Sequence, residues 1–153
     1  MISRMQKGGR VPRRLGLVVA CVALTAIHFA ASADSFKVRL TPVPIDPAIA
    51  SSTTGHGSAT AELDGRRLKI SGNFDGLQAA ATVAHLHQGP ARGVRGPSIA
   101  EVKVPATKGG DFTAELTLTG AQAEALRQGR VYLQIASASA PDPDGNLWGW
   151  LLP

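Results

Sequence analysis

The chain has 153 residues and carries 16 Lys and Arg against 11 Asp and Glu, a formal net charge of +5. Five of the cations, Arg4, Lys7, Arg10, Arg13 and Arg14, precede the first apolar run, and from Asp34 onward basic and acidic residues number 11 each. The charge belongs to a leader, and the body is neutral, which argues against the basic face or stripe that marks a nucleic-acid-binding domain.

Met1 to Arg14 reads as a positive n-region and Leu15 to Phe29 as an apolar h-region. Ala31-Ser32-Ala33 supplies the small residues of a signal peptidase site, which places cleavage before Asp34. The apolar run is shorter than the ~20 residues that cross a bilayer core, so no membrane span is expected after cleavage. A lipoprotein box at Val18-Val19-Ala20-Cys21 is the alternative, but it would leave an apolar tail on the mature chain. The expected organisation is a signal peptide at 1–33 and one β domain at 34–153, exported to the periplasm or the medium. Cys21 leaves with the leader, so neither a disulfide framework nor a thiol nucleophile is expected in the body.

Period-two alternation of apolar and polar residues then dominates. Strands are expected at Phe36–Leu40, Ala59–Leu63, Arg66–Phe74, Ala80–His87, Ser98–Val104, Phe112–Leu118, Val131–Ala136 and Asn146–Leu152. Asp64-Gly65 suits a two-residue type I′ hairpin, which would set Ala61 opposite Leu68, Ala59 opposite Ile70 and Glu62 opposite Arg67. The longer Lys108-Gly109-Gly110-Asp111 connection has more ways to relax, so a β-branched residue should be worse tolerated at Gly65 than at Gly109. Pro42, Pro44 and Pro47 mark an irregular loop, and Asp142-Pro143-Asp144-Gly145 a turn. One short helix is expected at Gly120–Gln128, with Thr119 as cap, Gln122 at capping-box spacing and Gly129 as terminator. Eight short strands and one helix make an all-β sandwich or Greek-key barrel.

The segment Ala84-His85-Leu86-His87-Gln88-Gly89-Pro90-Ala91, continuing through Gly93 and Gly96-Pro97, resembles the signature of the CHRD domain. The surroundings are similar too: the strand ending Ser71-Gly72-Asn73-Phe74-Asp75-Gly76-Leu77, the Asp111–Leu118 strand, a short helix ending Gly129-Arg130, and the Tyr132 strand. The resemblance implies an immunoglobulin-like β-barrel of about seven to eight strands and no assigned enzymatic activity, which agrees with the strand count. Where many members carry a His-Thr pair after the Tyr strand's Asn, this chain has Ala136-Ser137. Where they end Gly-Glu-Ile-Arg-Gly-Gln, it has Gly145-Asn146-Leu147-Trp148-Gly149-Trp150. Parity puts Tyr132, Gln134 and Ala136 on one face of their strand and Asn146, Trp148 and Trp150 on one face of theirs.

His85 and His87, two apart on a strand, point the same way within ~7 Å, a spacing found in copper and zinc sites built on sheets. Structural zinc takes four ligands and catalytic zinc three plus water. The only other histidine beyond the leader is His56, and the family position that could add an imidazole is Ala136. The competing reading has the pair bonding backbone groups where the strand enters the Gly-Pro loop. Arg92 and Arg95 on that loop could catch an anion, and Trp148 and Trp150 with Tyr132 could form a platform for a sugar or peptide. No G-x-S-x-G elbow or carboxylate pair is recognisable. These readings point to an exported, non-enzymatic module that serves a structural role or binds a partner, either an exported or cell-surface protein or a glycan. The alternative is copper or zinc binding through His85 and His87, with an unrecognised enzyme third. Beyond that copper or zinc, no cofactor is expected.

Overall fold

The computed structural model describes residues 33–43, 47–141 and 144–153. The predicted leader up to Ser32, including Cys21, lies outside the described residues, as do Pro44 and the Asp142-Pro143 half of the predicted turn. The elements in chain order are β1 (Asp34–Pro42), a 3-10 turn (Pro47–Ile49), β2 (His56–Asp64), β3 (Arg67–Asp75), β4 (Ala81–Gln88), β5 (Ser98–Val102), β6 (Gly110–Thr117), α1 (Gly120–Arg127), β7 (Val131–Ser137) and β8 (Leu147–Trp150). Every predicted strand is present, and the helix begins at its predicted residue.

All eight strands form one sheet in the order β5-β4-β7-β8-β1-β2-β3-β6. Every pairing is antiparallel, and the sheet curls into a nearly closed barrel. Alternation dictates the inside. Phe36, Val38 and Leu40 of β1, Leu68, Ile70 and Phe74 of β3, and Val131, Leu133 and Ile135 of β7 belong to one buried cluster. Gly72 occupies the inward position between Ile70 and Phe74. It stands opposite Ala59 on one side and Phe112 on the other, and a Cβ there would collide with both. The missing side chain is what admits the Phe112 ring.

Helix α1 carries the chain from β6, at one end of the strand order, to β7. Thr119 accepts from the Gln122 amide and the Gln122 side chain accepts from the Thr119 amide, a complete capping box. Ala123, Ala125 and Leu126 face the core. Gly129, at φ +67°, ends the helix.

Two expectations need correction. The β2–β3 hairpin pairs Asp64 with Arg67, Leu63 with Leu68, Glu62 with Lys69 and Ala61 with Ile70. The central residues are therefore Gly65 and Arg66. Gly65 has φ +58° and Arg66, like every non-glycine residue among the described ones, does not have positive φ, which is the glycine-first pattern of a type II′ turn, not I′. The displacement preserves parity, so the apolar face still points inward and Glu62 still stands opposite a cation, now Lys69. The second correction concerns Gly109. Its connection is held by Leu77 N–H donating to Lys108 O (3.0 Å) and Thr107 Oγ1 donating to Gly109 O (2.8 Å). A Cβ at Gly109 would press on Asp75 and the Phe74 carbonyl, whereas one at Gly65 meets nothing within 4 Å.

Candidate functional site

Most strands bury one face only. The outward residues Lys69, Ser71 and Asn73 of β3 are exposed, as are Asp111, Thr113 and Glu115 of β6. Strand β7 is different: all seven residues are buried. Its inner face joins the barrel core, and its outer face, Tyr132, Gln134 and Ala136, lies under a second layer.

Register builds that layer. Tyr132 stands between His87 on β4 and Trp150 on β8, and Gln134 between His85 and Trp148. The two faces set by parity thus adjoin. Tyr132 is 1 % exposed and Trp148 8 %. The His87 ring stacks on Tyr132 at 4.8 Å and an interplanar angle of 9°, and Tyr132 stacks diagonally on Trp148 at 5.1 Å and 9°. Trp150 tilts against Tyr132 at 4.8 Å, and His85 meets His87 edge-on at 5.9 Å. The Arg95 guanidinium lies 4.7 Å over the Trp148 ring. Each aromatic pair adds about 0.5–1.5 kcal/mol beyond its burial, and the cation–π contact about 0.5–1 kcal/mol at an exposed site.

Hydrogen bonds fasten the loop to this layer. The Tyr132 hydroxyl donates to the Gly96 carbonyl (3.1 Å) and accepts from the Gly96 amide (3.3 Å). The carbonyl also accepts from His87 Nδ1 at 3.0 Å, which places the ring proton on Nδ1. A shift in the β4–β5 register falls at Leu86/His87, where the chain turns into the loop. Gly89 and Gly96 face each other across the loop's base, and a Cβ on either would strike backbone. At the other end, buried Asn146, where the family pattern has Glu, accepts from Ser137 Oγ (3.1 Å) and donates to the Thr54 carbonyl. Trp148 Nε1 donates to the Asp144 carbonyl at 2.8 Å.

Outside the stack, β1 and β8 form a groove of about 540 Å³. Trp148, Gly149 and Trp150 make its floor, Lys37, Arg39, Thr41 and Val43 one wall, Gly93 and Arg95 the other, and Leu152 the end. Gly149 is required there: a Cβ would run into Val38 and the Arg39 carbonyl, so glycine lets β8 lie close against β1.

Of the predicted candidates, His85, His87, Tyr132, Trp148, Trp150 and Arg95 form one continuous cluster, and Trp148, Trp150 and Arg95 line the groove. Arg92 is not part of it; its guanidinium lies over Gly129, because the loop turns between Arg92 and Arg95. The Trp148 ring is largely buried within the stack, while Trp150 is half-buried at the groove. His56 lies on β2 beside Asp75, across the sheet from the histidine pair. Among the described residues no three His, Cys, Asp or Glu side chains gather as a metal-holding group. Sequence reasoning missed Lys37, Arg39, Thr41 and Val43. Their outward parity on β1 was visible, but the pairing of β1 with β8 was not.

The family model of the CHRD domain matches residues 36–148, most of the chain. The protein belongs to the CHRD family. The matched span runs from Phe36 of β1 to Trp148 of β8, so it takes in β2 to β7 entirely, the histidine-containing β4 among them, and parts of β1 and β8. No curated protein and no solved structure matches the chain. Among the described residues no helix of this CHRD protein is long and apolar enough to cross a membrane.

Proposed function

We propose that this CHRD protein is an exported, non-enzymatic binding module and that the groove between β1 and β8 is its contact surface. The observation carrying this reading is the covered outer face of β7. A barrel needs only its inner face buried, yet here a second layer of aromatic rings holds a loop in place and shapes a concavity beside it. Grooves of this size, apolar in floor with a few charged groups at the rim, are the usual form of a ligand site. Export is supported by the order of the leader's three regions. Intact-mass measurement of the native protein should show a chain beginning at Asp34 without acyl groups.

The contact surface is tested by cosedimentation with envelope and extracellular material from the source cells. The wild-type protein should sediment with that material, and the Arg95→Glu/Trp150→Ala variant should lose at least tenfold in bound fraction. A Lys69→Gln/Thr113→Ala variant on the solvated face should behave as wild type. Equal binding by all three proteins would overturn the assignment.

A second reading, copper or zinc binding, is favoured by the 5.9 Å approach of the His85 and His87 rings. Structural zinc takes four ligands and catalytic zinc three plus water, and among the described residues no third His, Cys, Asp or Glu side chain joins the pair, so this reading comes second.

A further inference from the structure

The chemistry of the groove is more specific than binding alone requires. Among the described residues that line it, Lys37, Arg39 and Arg95 are cations and none is acidic, although residues from Asp34 onward carry 11 charges of each sign. Among the described residues neither Lys37 nor Arg39 is paired with a carboxylate. Lys37 and Arg39 stand two apart on the exposed face of β1, which spaces their Cα atoms about 7 Å along the strand. Facing them is the floor of two indoles. The large hydrophobic residues left exposed among the described ones are Val43 and Val94, at 42 % and 48 %. Val43 lines the groove, and Val94 sits between the lining residues Gly93 and Arg95.

We propose that the groove binds an acidic glycan, a chain of sugars bearing carboxylates of the uronate type; this deepens the reading of the groove as the contact surface and rests on it. A pyranose ring offers one face of C–H groups to an indole. Carboxylates on successive rings meet a row of cations, and guanidinium donors fork them. An acidic peptide fits less well. Peptides commonly gain affinity by adding a strand to an open sheet edge, and β1 and β8 are interior strands with neighbours on both sides. An anionic membrane fits less well too, because interfacial binding buries a protruding apolar face, and the indoles here floor a concavity.

The chain has two tryptophans, Trp148 and Trp150, and both line the groove, so intrinsic fluorescence reads this site alone. The purified protein is titrated at low salt with hexagalacturonate, a neutral galactose hexamer, hexaglutamate and phosphatidylglycerol vesicles. Hexagalacturonate should change the emission saturably, and the neutral hexamer should bind at least tenfold more weakly. The Lys37→Gln/Arg39→Gln variant should lose at least tenfold in affinity with its thermal midpoint unchanged, while Lys103→Gln/Lys108→Gln should bind as wild type. No response to hexagalacturonate, an equal response in the Lys37/Arg39 variant, or an equal or stronger response to hexaglutamate or vesicles overturns the glycan assignment. In that last case the groove remains the contact surface with a different ligand. Whether it is the contact surface at all is decided separately by the cosedimentation of the groove variant.

Discussion

The two sides of the barrel obey the same alternation and use it differently. On β2, β3 and β6 the outward residues, such as Thr60, Ser71 and Thr113, meet solvent, and the pattern is complete once the inner face is buried. On β4, β7 and β8 the outward residues include His87, Tyr132 and Trp148, which are buried, and His85 and Trp150, which are half-buried. That face supports a loop instead of meeting water. The contrast teaches that burial on the outer face of a single barrel marks where the molecule has built something beyond its fold.

The sharpest way to break the comparison is to truncate one outward residue on each side. Tyr132→Ala should cost about 3–5 kcal/mol, as large buried aromatics do, because it removes two stacking partners and both bonds to Gly96. Thr113→Ala should stay within about 0.5 kcal/mol. Denaturant midpoints with unchanged m-values check this, and similar losses at the two sites would erase the distinction.

Next in size are the glycines. Gly109→Val should cost about 1–3 kcal/mol through overpacking against Asp75 and Phe74. Gly65→Val should cost about 1–2 kcal/mol, since a side chain there has room but must adopt the left-handed region. The expected order is thus the reverse of the sequence-based one, or a tie. A clearly larger loss at Gly65 in thermal melts would restore the view that the 108–111 connection is slack.

Smaller again is Arg95→Ala, expected to cost about 0.5–1 kcal/mol through the lost cation–π contact and to move tryptophan emission to the red as the Trp148 ring gains water. A variant with unaltered emission would mean that Arg95 does not cover the ring. The smallest effect concerns metal. Protein purified without tags or chelator should carry substoichiometric copper and zinc, and added Cu²⁺ should bind no tighter than micromolar, as expected for two imidazoles alone. Elemental analysis showing one EDTA-resistant metal per chain would promote the second reading over the first.

The strands, the helix and its cap were legible because alternation and capping are local signals. So was the shared face of Trp148 and Trp150, since parity fixes which residues of one strand point together; that Tyr132 adjoins them came only from the β7–β8 pairing. The hairpin register was not, because Asp-Gly suits the centre of a turn as readily as its first half, and φ at Gly65 and Arg66 decides between them. The cationic wall of the groove was invisible for a different reason: β1 and β8 pair across more than a hundred residues, from Thr41 to Trp148, and alternation names faces without naming neighbours. Arg92 and Arg95 could not be told apart in an irregular loop, where no period says which way a side chain leaves.

The central claim is that the outer face of β7 carries a folded second layer, bonded to the loop and ready to present the groove. Amide and indole hydrogen exchange measures it directly, since local openings span free energies from near zero up to that of global unfolding. The Gly96 amide and the Trp148 indole N–H should exchange nearly as slowly as the Leu133 amide in the barrel ladder. Exchange of both at the rate of an exposed loop, with Leu133 still protected, would contradict the account.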